Sequence, residues 1–168
     1  FRDRGFSGAS LDDLSASAGL NRPSLYSAYG DKRSMYLKAL TLVHQDLIDP
    51  AERLDAAELH PRDALECWFA GVTKVYLSGD RGAGGCLAIC TATAEAVADH
   101  EVRESLDAIL RWIDERLMLL FTALGDPRPE LKAGMASALM HSLAVRARAG
   151  YSATELERYW RSTLEFLV

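Results

Sequence analysis

The chain has 168 residues, enough for one substantial core or for a small module joined to a larger one. Apolar residues make up 49% and charged residues 26%, an ordinary globular mixture, and no stretch approaches the roughly 18 consecutive apolar residues of a membrane span. The net charge of −5 argues against a chain-wide nucleic-acid surface, but residues 1–49 hold six Lys/Arg and six Asp/Glu while residues 50–168 hold thirteen and eighteen, so the acidity lies entirely in the second part. Cys67, Cys86 and Cys90 form neither a C-x-x-C pair nor a Cys/His metal spacing, and there is no signal-peptide pattern. Both observations fit a cytoplasmic protein without cofactor or metal.

The front of the chain reads FRDRGFSGASLDDLSASAGLNRPSLYSAYGDKRSMYLKA. Phe1 to Gly5 look like the last turn of a helix. Ser10 followed by Asp13 makes a capping-box-like start, and Leu11, Leu14 and Ala18 then share one helical face. Gly19 ends that helix, where a left-handed backbone is cheap for glycine. Asn21 is a second N-cap, Pro23 falls in the first turn, and Leu25 and Tyr29 share a face. Helix, short glycine turn and second short helix form the helix-turn-helix layout, whose second helix reads the DNA major groove.

Lys32 to about Asp49 reads as a connecting helix ending at Pro50. Pro61 leads a helix with Trp68, Phe69, Val72 and Tyr76 that closes at Ser78-Gly79, followed by turn material at Gly82-Ala83-Gly84-Gly85. A helix through Cys86, Leu87, Ile89, Cys90, Ala94 and Val97 precedes another from about Glu101 to Leu124. After the break at Gly125-Asp126-Pro127-Arg128-Pro129, two last helices run from about Glu130 to Ala149 and from about Ser152 to Val168, the second opened by a Ser152/Glu155 capping box. No run alternates long enough for a strand, so the expected fold is all-α, with about nine helices.

Gly5-Phe6, Ser10-Leu11, Ala18-Gly19-Leu20, Pro23-Ser24-Leu25-Tyr26 and Tyr29-Gly30-Asp31-Lys32 together resemble the DNA-binding domain of the TetR/AcrR family of bacterial repressors. The match keeps register for about forty residues, and beyond it only Gly85-Cys86-Leu87 and the helical pattern follow the family. The resemblance implies a helix-turn-helix DNA-binding domain over residues 1–39, N-terminally clipped because the family's first helix begins upstream. It also implies a helical ligand-binding and dimerisation domain over 40–168. Positions matching Arg22, Pro23, Ser24 and Ala28 face the groove in that family, and those matching Tyr26 and Lys32 contact the DNA backbone.

The chemistry agrees for most of these residues. Arg22 can pair bidentately with a guanine edge, and the Ser24 hydroxyl donates or accepts. Tyr26 and Lys32 suit phosphate oxygens, and the helix start at Ser10 and Leu11 offers free amides. Asp12 and Asp13 lie near the same phosphate track, and Ala28 offers only a methyl. Singly, Arg22 and Lys32 would read as solvated and Tyr26 as core; the ordered motif favours DNA.

The second part has no catalytic constellation: His44, His60, His100 and His141 are scattered. His141, among Met135, Leu139 and Met140, reads as a core or interface histidine ahead of a ligand contact. Cys86 and Cys90 share a helix side, which suits packing better than thiol sensing. Trp68, Tyr76, Met118 and Phe121 could simply fill the core, but the implied regulatory domain makes them candidates for an apolar effector pocket. Leu131, Met135, Leu139, Leu156, Tyr159, Trp160 and Leu164 form apolar stripes on the last two helices, which pair into a four-helix bundle across the two-fold axis in TetR-like proteins.

The expected function is that of a homodimeric regulator, a repressor released from a palindromic double-stranded DNA operator by a small-molecule effector. The alternative is a helical dimeric small-molecule-binding or interaction protein without operator binding. Neither reading involves an enzyme or a membrane.

Overall fold

The computed structural model describes residues 1–55, 60–78 and 84–168, which are helical and contain no strand. Gly79, Gly82 and Ala83, expected at the end of a helix and in the following turn, lie outside the described residues. Three short helices come first: α1 (Gly5–Gly8), α2 (Leu11–Ala18) and α3 (Arg22–Tyr29). The Ser10 hydroxyl accepts from Asp13 N while the Asp13 carboxylate accepts from Ser10 N, closing the expected capping box. Gly19 ends α2 at φ 63°, and Asn21 caps α3 by accepting from Ser24 N at 2.9 Å. These satisfied end groups matter because two eight-residue helices are too short to persist in isolation.

The long helix α4 (Lys32–Asp55) carries the chain into the body. It runs through Pro50 instead of ending there as the sequence suggested, since one proline removes one donor and bends a helix more readily than it stops a packed one. Met35, Tyr36, Leu40, Val43 and Leu47 form its buried stripe. The body adds α5 (Pro61–Leu77), α6 (Thr93–Glu95), α7 (His100–Ala123), α8 (Pro129–Arg148) and α9 (Ala153–Leu164). Helix α4 packs on α5 and α7, α7 on α8, and α5 on both α8 and α9. In α7 the stripe Val102, Leu106, Ile109, Ile113, Leu117 and Leu120 follows the expected spacing. Helix α8 lies deeper; Ala133, Ala136, Ala144 and Ala147 let its neighbours approach. Helix α9 buries Leu156, Trp160 and Leu164, and Trp160 stacks on Phe69 with ring centroids 6.1 Å apart.

The expected single helix from Cys86 to Val97 is instead a π-helical turn, Ala88–Ala92, running into the short α6. Its widened turn places Leu87, Ala88, Thr91, Ala92 and Ala96 all in the interior. Gly85 makes the approach possible: at φ 63° a side chain is strained, and a Cβ there would lie 2.5 Å from the Ala144 carbonyl oxygen.

This π turn is also where the front helices meet the body. The buried Tyr36 hydroxyl lies 2.6 Å from Thr91 Oγ1, and Thr91 Oγ1 lies 2.7 Å from the Leu87 carbonyl. Thr91 has one hydroxyl proton, which the carbonyl takes, so Tyr36 donates to Thr91. Phe1 and Phe6 pack their rings on Tyr36, each at 5.3 Å between centroids. Around this contact, Ser7 donates to Glu95 at 3.0 Å, and Arg33 forks onto Asp99, its Nη2 2.9 Å from Oδ1, and reaches Glu101. Arg148 at the end of α8 donates to the carbonyls of Arg2 and Asp3 at 2.6 and 3.0 Å. Tyr36→Phe is expected to lower the unfolding free energy by about 1 kcal/mol. Urea denaturation would show this as a lower midpoint at unchanged slope; an unchanged midpoint would remove this hydrogen bond from the stability of the seam.

Candidate nucleic-acid interface and regulatory core

The α2–α3 unit is anchored from beneath and open above. Of the eight residues of α3 only Leu25 is buried, so Arg22, Pro23, Ser24, Tyr26 and Ala28 all stand on the exposed surface. Tyr26 is 44% exposed, available to a phosphate rather than packed in the core. Lys32, at the first position of α4, is half-buried with its Nζ 4.7 Å above the Phe6 ring, which fixes its charge beside the motif. Leu11 is half-buried, and the Ser10 hydroxyl is committed to the capping box, leaving the free backbone amides of the first turn for an anion.

The structure adds pairings across helices that the sequence reading missed. Arg22 donates from Nε and Nη2 to a single Asp12 oxygen, at 2.9 and 2.7 Å, so the prime candidate for reading a base is already in an ion pair. That hydrogen bond raises the Arg22 pKa and ties α3 to the first turn of α2. Arg4 forks onto Asp13 with both distances at 2.9 Å. Lys38, one helix further on, lies over the Tyr29 ring at 5.5 Å. Asp12 and Asp13, noticed near the phosphate track, were the available signal; which cation each would choose depends on tertiary placement.

In the body, Trp68, Tyr76 and Phe121 share one buried cluster, with Met118 packed half-buried against it. Trp68 and Tyr76 lie eight residues apart on α5, about 12 Å along the axis. Both are fully buried, yet among the described residues neither Trp68 Nε1 nor Tyr76 OH has a hydrogen-bond partner. An unsatisfied buried donor costs about 1–3 kcal/mol. Burial, reinforced by the nearby Cys86 and Cys90 sulfurs, holds the Tyr76 hydroxyl neutral, its pKa well above the usual range. His141 Nε2 is likewise unpartnered, and burial lowers the pKa of that half-buried ring. Among the described residues no three His, Cys, Asp or Glu side chains gather as a metal site, and no helix is long and apolar enough to cross a membrane.

The candidate dimer residues divide. Leu139, Leu156, Trp160 and Leu164 are buried within the chain, whereas Leu131 and Met135 are 50% and 39% exposed on α8. Tyr159 is half-buried under the Arg146 guanidinium, 4.1 Å from its ring centroid. With Val145, which is also exposed, Leu131 and Met135 mark the outward stripe of α8.

Two outcomes are expected. Asp12→Asn releases Arg22 and strengthens DNA binding several-fold, with the slope of log K against log salt steeper by about 0.9 for each head that gains a phosphate contact. Fluorescence anisotropy across a salt series measures this, and an unchanged slope would show that Arg22 makes no phosphate contact in the complex. For the thiols, burial pushes Cys86 up to about 11, so at pH 8 only about one molecule in a thousand carries its thiolate. Cys86 labelling by a disulfide reagent should therefore be slow at pH 8 and accelerate about tenfold per pH unit; fast labelling at neutral pH would restore a sensor role.

Residues 1–39 match the family model described as bacterial regulatory proteins, tetR family. No curated protein matches the chain. Among solved structures, a cysteine mutant of the TetR family transcriptional regulator CifR, complexed with 26-base-pair double-strand operator DNA, is 25% identical, with a TM-score of 0.73 over 95% of this chain and 87% of that one. A TetR family regulator from Agrobacterium tumefaciens superimposes with a TM-score of 0.80 at 19% identity, covering 96% and 88% of the two chains. A transcriptional regulator from Rhodococcus sp. Rha1 does so with 0.78 at 21% identity, covering 99% and 88%. The last two show the shared fold.

Proposed function

We propose that the chain, whose residues 1–39 match the tetR family model, is a TetR-type homodimeric repressor released from a palindromic operator by a small-molecule effector. The observation that carries the reading is the exposed α3, capped at Asn21 and held from below by Leu25 alone. Arg22, Pro23, Ser24 and Ala28 enter the major groove, Arg22 exchanging Asp12 for a base edge or a phosphate. Tyr26, Lys32 and the helix start at Ser10 and Leu11 hold the DNA backbone, through the Leu11 amide because the Ser10 amide is taken by Asp13. Residues 1–39 act as the reading head and 40–168 as the regulatory and dimerising part, with α4 continuous across the division.

Dimerisation uses the outward stripe of α8 together with α9. Leu131 and Met135 make direct contact, Tyr159 borders them, and the buried Leu139, Leu156, Trp160 and Leu164 support the surface from behind. The small Gly134 and Ala138 on the exposed side of α8 allow two such helices to approach closely. A two-fold axis there sets two α3 helices one or more DNA turns apart, about 34 Å or a multiple of it.

The effector site lies in the aromatic core. Trp68 Nε1 and Tyr76 OH donate to the effector's acceptor atoms, and Met118 and Phe121 supply apolar wall. An occupant there presses on the π turn and α6, which touch α4 and α1 through Thr91 and Glu95, and on the start of α7, which touches α4 through Asp99. Release requires only that the effector prefer one head spacing over another, with coupling of about 1–3 kcal/mol.

Genomic DNA fragments selected by the full-length protein should yield a palindrome. Arg22→Ala is expected to cost tenfold or more on that site, while Lys32→Ala weakens all sequences alike and flattens the salt slope. A folded dimer that enriches no sequence would sink operator binding and leave an interaction protein.

A further inference from the structure

Between α5 and α9 the surface opens into a groove of about 680 Å3, within the size range of small-molecule sites. Neither Trp68 nor Tyr76 lines it, so it is separate from the aromatic core. Ala70 and Leu77 from α5 and Trp160 from α9 supply its apolar wall. Two polar atoms of lining residues are buried with no hydrogen-bond partner: Thr73 Oγ1 and Trp160 Nε1, on residues only 6% and 2% exposed. Lys74, beside Thr73, is exposed and makes no ion pair or hydrogen bond among the described residues.

The remaining charges of the groove are occupied with one another. Arg161 donates to Glu157 at 2.8 Å and to Glu66 at 2.7 Å, and Arg62 donates to the other Glu66 oxygen at 3.2 Å. Among the described residues the groups left over are three donors and the second oxygen of Glu157, whose charge Arg161 already balances. An indole N–H and an ammonium can only donate, and the threonine hydroxyl has a free proton. A cationic headgroup would find both carboxylates already paired with guanidinium groups, whereas an anionic one meets the Lys74 ammonium and two buried donors.

We propose that the α5–α9 groove binds a small amphipathic anion, its carboxylate at Lys74 and Thr73 and its apolar body across Ala70, Leu77 and the edge of Trp160. Trp160 Nε1 donates to the same headgroup or to a polar atom next to it. The site is additional to the effector site in the core, and its readout needs no DNA, so it stands or falls independently of operator binding.

Calorimetric titration of the full-length protein with decanoate, and separately with decylammonium, tests this. Saturable binding of one decanoate per protomer is expected, with no binding of decylammonium. Lys74→Ala should weaken decanoate about tenfold and Thr73→Val several-fold, since each removes one donor to the charge. Ala70→Trp fills the groove from an exposed position and should abolish binding, with circular dichroism confirming an unchanged fold. Decanoate binding that survives Ala70→Trp and Lys74→Ala would place the acid elsewhere and overturn the proposal. Equal binding of decylammonium, or no saturable binding of decanoate, would overturn it as well.

Discussion

The position of the front helices depends on one buried hydrogen bond, from the Tyr36 hydroxyl to Thr91 in the π-helical turn. Helices α1 to α3 bury little of their own: Ala9 and Leu25 are their share of the core. A unit this thin cannot order itself by apolar burial, so it borrows rigidity from α4 and from the turn beneath it. The π turn is suited to this because its extra residue brings Thr91 inward while Leu87 still accepts the threonine proton. Aromatic packing of Phe1 and Phe6 on Tyr36 shields the bond, and the charged contacts of Ser7, Arg33 and Arg148 surround it at the surface. Its dry centre and its polar rim together fix how the front helices sit on the body.

Helix α5 carries a second constraint of the opposite kind. Trp68, Thr73 and Tyr76 each hold a buried polar atom without a partner. Side chains with the same volume and no polar atom would make a more stable helix, so the chain carries a penalty along one element. Because α5 packs on α4, α8 and α9, whatever satisfies those atoms acts on a helix that touches both the connecting helix and the last two helices. On the proposed reading, ligand binding and folding stability are therefore linked, and occupancy should stiffen the body.

What the sequence made legible is what local chemistry decides. Ser10 with Asp13, Gly19, Asn21 and Ser152 with Glu155 each bring their partner within a few residues, and the structure has all four as read. The stripes of α7 and α9 were legible for the same reason. The π turn was not: over five residues a shift in period cannot be told from an ordinary helix, and Gly85 reveals its purpose only against the Ala144 carbonyl. Pro50 misled because a proline removes a single donor from a helix and need not end it, and α4 runs on to Asp55. Arg22 was found as a candidate, but its pairing with Asp12 spans two helices and had no local signature. Leu139, Leu156, Trp160 and Leu164 show the limit of apolar stripes, which do not distinguish a chain's own core from a surface offered to a partner.

The pairing of Arg22 with Asp12 bears on how such a protein would travel. On random DNA a bare arginine lingers at every phosphate it meets, and each pause lengthens a one-dimensional search. An arginine that carries its own carboxylate arrives already satisfied and gives up that partner only where the new site returns more than it takes. Non-target DNA then holds the protein weakly, so excursions along the chromosome are short and frequent. On the proposed reading, the acidic residue that looks like a flaw in a DNA-binding face would act as a brake on wandering, trading some grip on the target for less time lost on everything else.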